Sequence, residues 1–158
     1  RIAEENGCVL SAFHNRRWDS DFLTIQDAVR RGILGAVASF ESRFDRFRPA
    51  VADRWRERPG PGSGLLYDLG PHLIDQALLL FGVPDTVQAT LAAQRRGARA
   101  TDYMQLVLRY GDQVVTLEAG SLVAVIAMGV LLVARLHGGG RGARPREPVS
   151  WVSRVVSR

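Results

Sequence analysis

The sequence has 158 residues, 46% hydrophobic and 23% charged, the size and balance of one globular domain with a true core. All 21 basic residues are arginine, so no ammonium is available as a Schiff-base amine or phosphate-loop ligand. The net charge of +5 sits in residues 135–158, where six arginines face Glu147, and the balanced remainder argues against a nucleic-acid-binding body.

The single cysteine, Cys8, excludes an internal disulfide, and residues 1–7 do not open a secretory signal, so the expected location is the cytoplasm. Without an initiating Met, the chain reads as a piece of something longer. Residues 3–7, AEENG, carry the Asn-Gly signature of a helix end, and the apolar run CVLSAF at 8–13 predicts a buried strand. Asp19 or Ser20 caps a helix whose Phe22, Ile25 and Val29 follow helical spacing until Gly32 stops it. Residues 36–44 alternate as a strand with Ala38, Phe40 and Phe44 on one face.

Residues 45–62 form a charged loop in which arginines interleave with Phe47 and Trp55, offset by Asp45, Asp53 and Glu57. A Pro/Gly segment then leads into an apolar helix within residues 60–82, ended by Gly82 and Pro84. Residues 86–94 alternate with Val87, Ala89 and Leu91 inward, and residues 95–100 are a polar turn. Residues 102–110 place Met104, Leu106, Leu108 and Tyr110 on one face, and Gly111 with Asp112 makes a two-residue hairpin into a further strand. Three antiparallel strands in succession predict an α+β fold with an open, largely antiparallel β-sheet and helices on one face.

The uncharged run at 119–134 is short for a membrane span of about 20 residues, though arginines crowd its far side as they do beside an anchor. A sheet strand followed by a second buried segment accounts for it equally well. Little order is expected beyond Arg135.

Asp68 and His72 stand four apart near the start of the long helix, a spacing that puts both on one helical face. Imidazole, with an ordinary pKa of about 6.5, can take or give a proton at working pH. The pair reads as a proton-transfer site at a helix entrance or as a plain satisfied helix cap. The run PGPGSG at 59–64 lacks the full dinucleotide fingerprint and does not follow a strand of a βαβ unit. A zinc site needs further ligands, and nothing fixes His14, His137 or Cys8 near the pair; no metal is expected.

Four stretches in this order, FHNRRWDSDFLTI at 13–25, RGILGAVASFESRFDRFRP at 31–49, RWRE at 54–57 and GSGLLYDLGPHLIDQALLLFG at 62–82, resemble the Gfo/Idh/MocA family. The likeness covers roughly residues 1–120. It implies the C-terminal substrate domain of an NAD(P)-dependent oxidoreductase acting on a sugar, polyol or related alcohol. It also implies three parts: residues 1–15 ending an upstream Rossmann domain, 16–134 as substrate and oligomerisation domain, and a divergent tail at 135–158.

In that resemblance the family's D-x-x-x-H matches Asp68 and His72, with His72 as acid/base and Asp68 as its orienting or substrate-binding partner. Asn15, Arg16 and Arg17 match the segment near the nicotinamide of NAD or NADP. Trp55, Arg56, Tyr67 and Tyr103 are implied walls of the sugar pocket. The family's glycine fingerprint and assisting lysine have no counterpart here, so the chain alone is expected to be inactive. A frameshift or truncation accounts for the unmatched residues after 121. The alternatives are a non-catalytic dimerising module acting through the sheet and, less favoured, a membrane-anchored fragment using 119–134.

Overall fold

The computed structural model describes residues 1–122 and, as backbone, 128–135. Its centre is a five-stranded sheet in the order β2-β3-β4-β1-β5, built from β1 (Ala36–Phe44), β2 (Thr86–Ala92), β3 (Tyr103–Tyr110), β4 (Gln113–Gly120) and β5 (Met128–Arg135). Strands β2, β3 and β4 form an antiparallel meander, β1 joins β4 in parallel, and β5 closes antiparallel on β1. The sheet is therefore mixed and mostly antiparallel. Tyr110 pairs with Gln113 across Gly111 and Asp112, and Gly111 takes the positive φ of +59° that the tight hairpin needs.

Four helices accompany the sheet: α1 (Ile2–Glu5), α2 (Ser20–Arg30), α3 (Leu65–Asp68) and α4 (Gly70–Phe81). Their packing follows the alternation of the strands. Phe40 and Phe44 of β1, Met104, Leu106 and Leu108 of β3, and Val115, Leu117 and Ala119 of β4 are buried with Leu69, Leu73 and Ala77 from the helical side. A strand presents alternate residues to one face, so the other set, including Arg43, Tyr103, Gln105, Val107 and Glu118, lies on the open face. Small residues bring α4 close. A Cβ on Gly70 would lie 3.2 Å from the Met104 sulfur, and Ala77 is fully buried.

Several sequence expectations change. The long helix is two helices, α3 and α4 meeting at Leu69, which keeps a helical backbone (φ −109°, ψ −31°), while Pro71 supplies no backbone N–H at the first turn of α4. Residues 8–13 form no strand, and Val9, Leu10 and Phe13 are exposed, since no neighbouring strand among the described residues offers them a ladder. Val87, Ala89 and Leu91 are likewise exposed rather than inward: β2 is an edge strand beyond the reach of the helices. The apolar run at 119–134 contributes the end of β4 and most of β5, and no helix among the described residues is long and apolar enough to cross a membrane. Residues 123–127 and the arginine tail from 136 onward lie outside the described residues, as does any reading of a frameshift there.

Gly64 controls the entry to α3. Its φ and ψ of 87° and 172° belong to a region reserved for glycine, and a Cβ there would meet the Thr101 hydroxyl at 2.6 Å. Gly62 shares a positive φ of +75° but faces open space. Gly64→Ala should therefore destabilise the chain by at least about 2 kcal/mol, combining backbone strain with the clash. Gly62→Ala should cost only about 1 kcal/mol. Chemical denaturation of both variants checks the difference; equal losses would show that the contact with Thr101 is slack.

Candidate active site at the helix junction

The break between α3 and α4 separates Asp68, the last residue of α3, from His72 in the first turn of α4. They do not share one continuous helical face. They remain close enough for the Asp68 carboxylate to favour the protonated form of His72. Asp68 instead makes its ion pairs with arginines, 3.2 Å to Arg56 and 4.0 Å to Arg46.

His72 is half-buried, so its ring is not enclosed in the core, but its Nδ1 is buried without a hydrogen-bond partner among the described residues. Desolvation by burial pushes its pKa below 6.5, and the charges of Arg16 and His14 push the same way against Asp68 and Asp19. The ring is consequently neutral at pH 7 and available to accept a proton.

The arginines around it are positioned by the end of β1. The guanidinium groups of Arg16 and Arg46 lie 5.1 Å and 4.9 Å from the centre of the buried Phe44 ring. A single turn of 3₁₀ helix, Asn15–Trp18, carries Arg16 to this place and pairs it with Asp19 at 2.8 Å. Gln76 of α4 donates to the Arg16 carbonyl at 2.9 Å. Arg17 forms a two-pronged pair with Asp75 of α4, at 2.7 and 2.6 Å, which fastens the turn to the helix. Asn15 is exposed beside them.

Asp68 also lines a cleft with Arg46, Arg48, Arg54, Arg56 and Glu57, to which Arg95, Thr101 and Asp102 contribute. His72 does not line this cleft; it adjoins it through Asp68. The cleft is framed by a feature that reading the turn at 95–100 as merely polar missed. Arg95 is buried with Asp102, its Nε 2.9 Å from the carboxylate, and it reaches Glu57 at 3.1 Å and the carbonyls of Arg48 and Ala50 at 3.1 and 3.0 Å. Burial raises the Asp102 proton affinity, but hydrogen bonds from the Gln94 and Arg95 amides and the Arg95 guanidinium outweigh it and hold the pKa below 3.8.

The remaining implied wall residues separate. Arg56 lies at the cleft with its guanidinium 5.2 Å from the Trp55 ring, while Trp55 and Tyr67 are exposed and outside the lining. Tyr103 belongs to the open face of the sheet, away from His72, where burial and the carboxylate of Glu118 raise its pKa. Strand alternation, applied to Met104 as an inward residue, already requires this placement. No group of three or more His, Cys, Asp or Glu among the described residues is arranged to hold a metal ion.

Residues 22–132 match the GFO/IDH/MocA C-terminal domain. The chain belongs to this family. It is 56% identical over 123 residues to the uncharacterized oxidoreductase YdgJ of Escherichia coli, covering 78% of this chain and 36% of that protein. It is 48% identical, over 78% of its length and 34% of the relative's, to the scyllo-inositol 2-dehydrogenase (NADP(+)) IolW of Bacillus subtilis. Among solved structures, the yvaA protein of Bacillus subtilis superposes with a TM-score of 0.76 at 44% identity, covering 85% of this chain and 39% of that one. The chain thus spans about a third of the length of these curated relatives.

Because Arg95 and Asp102 are buried together, removing one partner strands the other. Asp102→Asn should lower stability by about 3 kcal/mol at pH 7. Since the folded pKa of Asp102 lies below its unfolded value of 3.8, its contribution is complete above that value and fades as pH falls through the lower, folded pKa. Unfolding free energies measured from pH 7 down to pH 2 should show the wild type and the variant converging in acid. Parallel curves would contradict this assignment.

Proposed function

We propose that this chain is the substrate-binding part of an NAD(P)-dependent oxidoreductase acting on a sugar, polyol or related alcohol, with His72 as the acid/base at the reacting hydroxyl. The observation that carries the reading is a half-buried imidazole of lowered proton affinity beside Asp68, in a chain of this family. The relative named for scyllo-inositol and NADP(+) supports a polyol and a nicotinamide cofactor.

For the cofactor, the residues fit only its reactive end. The exposed Asn15 amide and Arg16, beside His72, would face the nicotinamide. Gly62 and Gly64 form no phosphate cradle, because Gly64 is packed on Thr101 and the helix it opens has four residues. When bound, the nicotinamide supplies the hydride acceptor. The chain's own residues do the rest: His72 takes the hydroxyl proton, Asp68 stabilises the imidazolium that results, and the Arg17–Asp75 pair keeps the turn bearing Asn15 and Arg16 against α4. We further read the open face of the sheet as the surface through which copies of the chain pair. Arg43 there bridges Glu118, Asp45 and Glu41 at 2.6, 3.3 and 3.7 Å, with Val107 and Tyr103 only partly covered. Val107→Arg should then shift the sedimentation coefficient from dimer to monomer; a wild-type monomer would remove this part.

In the enzyme completed by its nucleotide-binding domain, His72→Ala should lower kcat for alcohol oxidation by about 10²–10⁴-fold. The wild-type rate should fall as acid protonates the ring, with the midpoint below 6.5 because the folded pKa is lowered. Steady-state rates against pH in both proteins test this. An unchanged rate in the variant would favour a non-catalytic module.

A further inference from the structure

The clasp around Arg95 leaves an imbalance of charge in the cleft. Asp102 and Glu57 are both committed to Arg95, which is buried in the cleft lining, and Glu57 also pairs with Arg54 of that lining at 3.7 Å. Glu57 also accepts the Ala52 amide at 3.0 Å. What remains at the opening is Asp68 against Arg46, Arg48 and Arg56. Arg48 has no ion pair among the described residues; its carbonyl is held by Arg95, and its amide donates to Ser121 at 2.8 Å, so its backbone is fixed. Arg46 is similarly fixed by its amide on the Gly120 carbonyl at 2.9 Å and by the Phe44 ring. Burial lowers the Arg46 pKa, and repulsion from Arg48, Arg16 and Arg56 lowers it further against the attraction of Asp68.

Three guanidinium groups held on braced backbone around one carboxylate are poorly served by a neutral sugar. Covering them would strip water from charge without offering a counter-charge. A carboxylate or phosphate would accept their planar donors in pairs and remove the mutual repulsion.

We infer that Arg46, Arg48 and Arg56 form a subsite for an anionic group, a carboxylate or a phosphate ester, carried by the substrate. This rests on the function proposed above and narrows its substrate class to acidic or phosphorylated sugars and polyols. The anion anchors one end of the molecule on the far side of Asp68, and the hydroxyl to be oxidised lies toward His72.

Titration calorimetry of the 158-residue chain at constant ionic strength, with glucuronate, glucose 6-phosphate and glucose, tests the inference. At least one anion should bind about tenfold or more tightly than glucose, and whichever is tighter tells carboxylate from phosphate. Arg56→Gln, on an exposed side chain, and Arg46→Gln should each weaken that binding by about tenfold, while Arg46→Lys should lose less. Arg58→Gln, whose guanidinium pairs with Asp53 at 2.7 Å outside the cleft lining, should have no effect. Glucose binding as tightly as both anions would overturn the inference, and so would an equal loss in the Arg58 and Arg56 variants. Anion binding that survives His72→Gln supports the subsite whether or not that variant keeps activity in the completed enzyme, so the two readings fail separately.

Discussion

A buried guanidinium needs its charge cancelled and its donors filled, and Arg95 satisfies that demand by drawing three loops together. Its partners come from the residue before β3 (Asp102), the 3₁₀ turn at Trp55–Glu57 (Glu57) and the carbonyls of the loop after β1 (Arg48 and Ala50). Those segments have little apolar content with which to pack. A buried ion pair is weak evidence of net stability, but breaking one partner is costly. The requirement therefore acts as a geometric rule: the loops must meet at Arg95 or leave a charge unpaired. The walls of the cleft follow from that rule.

A second constraint aligns the cleft with the helix junction. Phe44, at the end of β1, is buried against the helical layer and offers its ring to both Arg16 and Arg46. One of these arginines acts on His72 and the other pairs with Asp68. Across the junction at Leu69, Asp68 pairs with Arg46 and Arg56 while His72 lies near Arg16 of the Asn15–Trp18 turn.

Much of this was legible in the sequence where a local rule decides the outcome. The alternation of Met104, Leu106 and Leu108, the hairpin at Gly111, and the helix containing Phe22 follow from side-chain period and turn chemistry alone, although no side-chain hydrogen bond caps that helix among the described residues. The misread elements each depended on a neighbour. Residues 8–13 have the composition of a strand but no partner strand among the described residues, and Val87 and Leu91 alternate correctly on an edge that nothing covers. Around the junction, the resemblance named Asp68, His72 and Arg56, and the structure sets Arg56 against Asp68 and Asp68 near His72. The resemblance did not name Arg95, because an arginine in a polar turn gives no local sign that two carboxylates from elsewhere in the chain will bury it.

The electrostatics of the junction also bear on the direction in which the imidazole works. A histidine paired closely with a carboxylate rises in pKa and tends to be charged at pH 7, which suits a proton donor. Here Asp68 is engaged by arginines, and burial and Arg16 dominate, so His72 is held neutral. On the function proposed above, a neutral ring suits the abstraction of a proton from an alcohol, and the imidazolium formed would be disfavoured by burial and Arg16 and favoured by Asp68. Drawing Arg46 and Arg56 onto a bound anion would loosen their hold on Asp68 and free that carboxylate to stabilise the protonated ring. Under the two proposals, occupation of the cleft and proton transfer at His72 would thereby be coupled through one carboxylate.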